Sequence, residues 1–145
     1  MSKAESADLI MKLYDLRREE KMREARNWMI GFFPESADDI LAVMVGPESA
    51  YLRMCISYWD MAATFVNHGA IDEEMFRETS GEHMAVFAKI EPFLEDMRAR
   101  FGNPNFLKNL ETLVSRLPNY KEELNARREM LKRMIEASKA AAAQG

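Results

Sequence analysis

Apolar residues recur three and four positions apart along almost the whole chain. This spacing places side chains on one face of an α-helix, whereas a half-buried strand alternates apolar and polar residues. No segment shows sustained alternation with enrichment in β-branched residues. The pattern therefore predicts an all-α fold without strands.

Glycine and proline residues interrupt this pattern at a few places and predict where helices end. The segments between them predict six to seven helices, with approximate bounds 6–29, 37–45, 47–68, 73–80, 82–101, 105–117 and 119–141. Ser36 and Asp72 precede two of these segments and are suitable N-caps. Pro92 lies inside the fifth segment, so we expect a kink or break near residues 89–91.

The connections between the segments are short, which favours antiparallel neighbours. We therefore predict one domain over residues 1–139, folded as an irregular antiparallel helical bundle. A chain of this length suits a single domain with its own core. Residues 140–145 are low in complexity, and we expect them to fray from the end of the last helix.

The third segment is apolar around more than half of its circumference, which is typical of a mostly buried helix. Its polar residues follow one another at steps of four and three and form a narrow stripe: Arg53, Ser57, Asp60, Thr64 and Asn67. The stripe either faces solvent or forms a buried polar network that contacts a ligand or partner. Replacing Arg53 separates the two, because an exposed pair contributes less than about 1 kcal/mol and a broken buried pair costs about 3–5 kcal/mol.

Methionine is abundant, with 12 residues in the chain. Methionine side chains fill irregular gaps in cores, and methionine-rich surfaces adapt to different partners. The residues therefore belong either to a loosely specified core or to a groove for a helix or an apolar ligand. We place the candidate apolar cavity near Trp28, Phe32, Trp59 and Phe65.

The common catalytic and metal-binding motifs are missing from the sequence. Phe65 and Ser80 stand three positions before the two histidines, His68 and His83, where a helical di-iron site needs glutamate. A single cysteine, Cys55, cannot supply a paired-thiolate zinc site. Glycine-rich phosphate loops and the Gly-x-Ser-x-Gly motif are also missing. We predict no cofactor, no metal and no catalytic residue.

The charge balance and the single cysteine limit the partners and the compartment. The formal net charge is −4, whereas nucleic-acid-binding domains usually carry a basic stripe, so we predict no nucleic-acid partner. One cysteine allows no intramolecular disulfide, which suits a reducing compartment. The N-terminus lacks the apolar stretch of a secretory signal, and the longest apolar run, 40–45, is far shorter than a membrane span. We predict a cytoplasmic protein with no membrane partner.

The last segment carries an apolar seam in which Leu124 and Leu131 lie seven positions apart, near Ile135 and Met134. The seam is shorter than the three or four heptads of a coiled coil. It either packs on the chain's own bundle or forms a two-fold interface.

Several stretches resemble an uncharacterised family of bacterial all-helical domains of unknown function. The resemblance rests on residues 7–10, 14–18, 25–28, 58–62 and 69–74, and it spans about the first two thirds of the chain. It implies a bacterial, helical protein, and it brings no catalytic motif and no activity.

The leading hypothesis from the sequence is a non-catalytic protein-interaction or oligomerisation module, whose partner is a second copy or another protein. The alternative is a binder of an apolar small molecule in the methionine- and aromatic-lined cavity. A third hypothesis is an enzyme that uses Arg53, Asp60 and His68, which would need a concave pocket joining these groups.

Overall fold

The computed structural model describes residues 2–144, and this part of the chain contains nine α-helices, one 3-10 turn and no strand. In chain order these are α1 (Lys3–Leu16), α2 (Glu20–Ile30), α3 (Ala37–Met44), α4 (Ser49–Asn67), α5 (Glu73–Thr79), α6 (Glu82–Ile90), the 3-10 turn (Glu91–Phe93), α7 (Leu94–Phe101), α8 (Lys108–Ser115) and α9 (Tyr120–Gln144). The all-α prediction is confirmed, with nine helices among the described residues instead of six to seven.

Local capping signals explain most of the helix boundaries. The side chains of Ser36 and Asp72 accept hydrogen bonds from backbone N–H groups in the first turns of α3 and α5, as predicted. Pro92 ends α6 at Ile90 and places a 3-10 turn before α7, which confirms the predicted break.

The prediction of one helix over residues 6–29 is wrong, because the chain breaks between α1 and α2. Glu19 leaves the helical conformation, and its carboxylate accepts a hydrogen bond from the N–H of Met22 at 3.0 Å. Glutamate is an uncommon N-cap residue, and within a charged run it resembles an ordinary exposed helix position. The apolar spacing continues on both sides of Glu19, so the sequence pattern does not reveal the break.

Helix α4 occupies the centre of the fold and packs against α2, α3, α5, α6 and α8. All of its buried residues except Tyr58 belong to the apolar face predicted from the sequence: Leu52, Cys55, Ile56, Tyr58, Trp59, Ala62, Ala63 and Val66. Removing apolar surface of this extent from water is the main favourable contribution to folding.

Side chains of other helices satisfy several helix ends. The buried Lys89 of α6 donates to the carbonyls of Met29 and Ile30 at the C-terminal end of α2. Such carbonyls have no partner within their own helix, and a positive charge is favourable beside them. Lys89 therefore fixes the end of α2 against α6.

A second such contact joins α6 to α9. Pro92 has no N–H, so it cannot donate the helical hydrogen bond to the carbonyl of Ala88, four residues earlier. The guanidinium of Arg128 in α9 donates to that carbonyl. Arg127, its neighbour, donates to the carbonyl of Gly81 at the other end of α6, at 3.3 Å. The first half of α9 is thus attached at both ends of α6.

His83 is buried in the core as a neutral imidazole. Its ring lies 4.9 Å from the ring of Phe76 and 6.1 Å from that of Trp59, centroid to centroid. Neither ring nitrogen has a hydrogen-bond partner among the described residues. Burial, with a smaller contribution from the nearby cations Arg77 and Arg127, lowers the pKa of His83 to about 3.

We expect this burial to make the protein sensitive to acid. The folded-state pKa of His83 lies below its unfolded value of 6.5, so the unfolded chain binds the proton first as pH falls. The free energy of unfolding should decrease by about 2 kcal/mol between pH 7 and pH 5. Urea titrations at the two pH values measure this change, and His83→Phe should remove most of it. An equal pH dependence in the variant would show that other groups cause it.

Candidate functional site

The structure divides the polar stripe of α4 into an exposed half and a half that contacts α8. Arg53 and Ser57 are exposed, and their hydrogen bonds stay within α4: Arg53 Nε donates to Ser49 Oγ at 3.2 Å, and Ser57 Oγ donates to the Arg53 carbonyl at 2.5 Å. Asp60 and Thr64 are half-buried further along the helix. The four predicted residues therefore do not form one buried network.

Asp60 caps another helix. Its carboxylate oxygens accept from the backbone N–H of Leu110 at 2.9 Å and from the side-chain amide of Asn109 at 3.2 Å. Helix α8 follows Leu107, which has a left-handed backbone conformation and makes no side-chain cap of its own. Asp60 thus supplies from α4 the carboxylate that an N-cap residue normally supplies locally. Its position in the stripe serves helix docking.

The four residues of the predicted apolar cavity are separated in the structure. Trp28 and Phe32 stack with ring centroids 4.7 Å apart, beside Tyr51. Trp59 lies in the core, and Phe65 is 39% exposed. The prediction of a shared cavity needs correction, because residues on one face of a helix meet different neighbours along its length. Of the four, Trp59 lines the pocket described next.

A pocket of about 130 Å³, which we call the aromatic pocket, lies between α1, α4 and α5. Its walls include Tyr14, Arg17, Tyr58, Trp59, Phe76 and Thr79. An engineered cavity of about 150 Å³ in another protein holds one benzene molecule, so the aromatic pocket has room for a single ring. Its size and lining suit a small molecule with one aromatic ring.

The polar groups of the aromatic pocket differ in their availability to a ligand. The hydroxyl of Tyr58 donates to the carbonyl of Leu13, and burial raises the pKa of Tyr58 to about 12, so it remains a neutral phenol. The guanidinium of Arg17 stacks over the ring of Tyr14 at 4.7 Å. The indole N–H of Trp59 has no partner among the described residues. This nitrogen is closed off from solvent, so Trp59 contributes the apolar surface of its ring to the pocket wall.

A charged cluster surrounds a smaller cavity of about 40 Å³ between α2, α4 and α6. Arg26 donates through Nε and Nη2 to the two carboxylate oxygens of Glu82, each at 2.8 Å. Burial, with a contribution from Glu82, raises the pKa of the Cys55 thiol to about 12. Burial also lowers the pKa of Lys89 to about 8. Cys55 is thus a protonated thiol at neutral pH and a poor nucleophile.

Sequence reasoning missed this cluster, because its members come from three helices and share no local spacing. One signal is visible in the sequence. Lys89 interrupts an otherwise apolar stretch from Met84 to Ile90, and a lysine in such a stretch is rarely buried without partners.

Among residues 2–144, no group of three or more histidine, cysteine, aspartate or glutamate side chains could hold a metal ion. Within the same residues, no single helix has the length and apolar character needed to cross a membrane. Helices α3 and α4 together have the length and composition of a membrane span, with a bend of 110° between them.

We expect Asp60→Ala to lower the free energy of unfolding by about 1–2 kcal/mol, which is the usual cost of losing an N-cap. Arg53→Ala, on the exposed half of the same stripe, is the matched control and should change it by less than about 0.5 kcal/mol. Urea denaturation of the two variants measures both values. A loss of about 3 kcal/mol or more for Arg53→Ala would restore the buried-network hypothesis.

Comparison with known proteins agrees with the resemblance noted in the sequence. A family model described as a domain of unknown function (DUF4760) matches residues 3–117, a range that includes α1 to α8 and ends before α9. Comparisons with curated proteins and with solved structures found no match. Because the matched range covers most of the sequence, the chain belongs to the DUF4760 family of domains of unknown function.

Proposed function

We propose that this protein is a non-catalytic interaction module that forms a homodimer through α9. The observation that carries the proposal is the exposure of the second half of this helix. Leu124 is buried and Leu131 and Ile135 are half-buried, whereas every described residue from Glu136 onward is exposed. A helix of 25 residues extends over about 37 Å, so its distal part offers a long free surface.

The exposed part of α9 carries a second apolar face, which we call the outer stripe. Met130, Met134, Ala137 and Ala141 follow one another at steps of four, three and four. On a helix these positions fall within about 60° of one another, roughly 110° away from the face of Leu131 that turns toward the bundle. Met130 and Met134 are 43% and 59% exposed. The outer stripe therefore lacks the cover that the inner face receives.

A second copy of the chain suits the outer stripe in charge and shape. The exposed half of α9 carries charges of both signs (Glu129, Lys132, Arg133, Glu136 and Lys139), so a second copy meets no block of like charge along the helix. Alanine at two of the four positions permits close approach of two helix backbones. A two-fold dimer uses the same patch on both subunits, and this is the commonest form of oligomer.

The non-catalytic part of the proposal is supported by the positions of the residues suggested for an enzyme. Arg53 is exposed in the first part of α4, and His68 is exposed directly after the last residue of this helix. Asp60 caps α8. Cys55 is a buried, protonated thiol. These groups do not converge on one reacting atom, as a catalytic set requires.

We expect the purified chain to elute with the mass of two chains in size-exclusion chromatography coupled to light scattering. Replacing Met130 and Met134 together by glutamate should shift the mass to that of one chain, because charge at the interface centre opposes burial. The matched control is Ala140→Glu together with Ala143→Glu, which adds the same two charges on the same helix outside the outer stripe and should leave the dimer intact. A native chain that has the mass of one chain at all concentrations would contradict the proposal.

A second candidate function is the binding of a small aromatic molecule in the aromatic pocket. The volume of about 130 Å³ and the aromatic side chains of Tyr14, Trp59 and Phe76 in the wall favour it, because they suit a single ring. A ligand with one ring would fill the pocket.

Benzyl alcohol is a suitable probe, since it has a single aromatic ring. We expect it to shift the Trp59 indole signal in an NMR titration, with little effect on the signal of Trp28, which does not line the aromatic pocket. Tyr14→Ala, in the pocket wall, should weaken binding, whereas Met61→Ala, on the exposed side of α4, should not. Equal shifts of both indole signals, or none, would count against a ligand site here.

A further inference from the structure

A groove of about 260 Å³ lies where α9 passes the 3-10 turn and the connection after α2. We call it the anion groove. Its walls combine cations from two parts of the chain with aromatic rings and one acid: Lys89, Arg128, Lys132, Phe33, Phe93 and Glu35. Two prolines complete the apolar part of the wall.

Lys89 makes this groove a formed site, because its ammonium is held in place. The residue is 4% exposed, and its Nζ atom lies 4.3 Å from the centroid of the Phe33 ring. The ammonium has three N–H donors, of which two serve the carbonyls of Met29 and Ile30. The third donor has no hydrogen-bond partner among the described residues, and Lys89 lines the groove.

Helix α9 adds two more positive charges, Arg128 and Lys132, which lie about one helical turn apart. The hydrogen bonds of Arg128 to the Ala88 carbonyl and the Asn125 side chain fix its guanidinium beside the groove. Three cations therefore face one carboxylate, that of Glu35, within a wall that is otherwise apolar. Such a surface favours a negatively charged ligand that also has an apolar body.

We propose that the anion groove binds a small aromatic carboxylate. The carboxylate lies among Lys89, Arg128 and Lys132 and accepts charge-assisted hydrogen bonds from them. The ring packs against Phe33 and Phe93. The groove volume is below the roughly 300–1,000 Å³ of typical ligand sites, so the ligand carries a single ring.

The site is distinct from the outer stripe and needs no dimer. It does require α9, because this helix carries Arg128 and Lys132. Both residues lie beyond the range matched by the family model. A ligand that touches both parts of the chain stabilises the docked position of α9, since it binds that state preferentially.

Affinity should decrease in alkali, because burial lowers the pKa of Lys89 to about 8 and only the charged ammonium attracts a carboxylate. The other ionisable groups that line the two cavities beside Lys89 are Arg26, Glu35, Cys55, Glu82, Arg128 and Lys132. Among these groups, burial brings the pKa of Lys89 into the range of pH 7 to 9.5 and raises that of the Cys55 thiol above it. A loss of affinity over this range that persists in Lys132→Gln therefore follows Lys89.

Benzoate titrated into the full chain at pH 7, followed by isothermal calorimetry, tests the proposal. We expect Lys132→Gln to weaken benzoate binding about tenfold, the usual effect of losing one charge-assisted hydrogen bond. Lys139→Gln, on the exposed side of the same helix, is the matched control and should bind like the native chain. At pH 9.5 the native chain should bind several-fold more weakly than at pH 7.

Three comparison ligands make the result decisive. Benzamide has the ring without the charge, acetate has the charge without the ring, and inorganic phosphate has more charge without a ring. All three should bind more weakly than benzoate. Equal binding of benzamide, or equal affinities of the native chain and Lys132→Gln, would overturn the role of the cations. Equal binding of phosphate or acetate would overturn the aromatic specificity.

Discussion

The fold depends on satisfying the ends of many short helices. Each helix end leaves backbone N–H or C=O groups without partners, and these groups are costly where they are buried. Lys89 satisfies the end of α2, Asp60 the start of α8, and Arg128 the carbonyl that Pro92 leaves open. Arg77 acts similarly on α8 through the Leu113 carbonyl, at 2.6 Å. The partly buried charges of this protein are therefore largely engaged in holding helices together.

The sequence predicts the helices whose boundaries are marked by local chemistry, and it fails where the determinants are distant. Ser36, Asp72 and Pro92 act on their own neighbourhood, so their effects can be predicted from spacing alone. The break at Glu19 cannot be predicted from the pattern, because glutamate is common inside helices and uncommon at the N-cap position. The cap of α8 could not be predicted, since Asp60 lies 50 residues before Leu110.

The same limit applies to the candidate sites. Helical periodicity shows that Trp59 lies on a buried face, but it does not show which rings of α1 and α5 surround it. The prediction therefore grouped Trp59 with Trp28 and Phe32, which the structure places elsewhere. The anion groove escaped prediction for a related reason. Its lysines and its arginine are separated along the chain, and in the sequence Arg128 and Lys132 stand among the mixed acids and bases of the last helix.

The contact of Lys89 with the end of α2 also bears on how the protein unfolds. It joins residues 59 positions apart, and helices of 9 and 11 residues are too short to persist alone in water. Both helices depend on packing against others, α2 on α4 and α6 on α9, so we expect the bundle to open as one cooperative unit. The distal part of α9 is exposed from Glu136 onward, so we expect its amide protons to exchange by local opening. An all-or-none core is then joined to a helix end that melts independently.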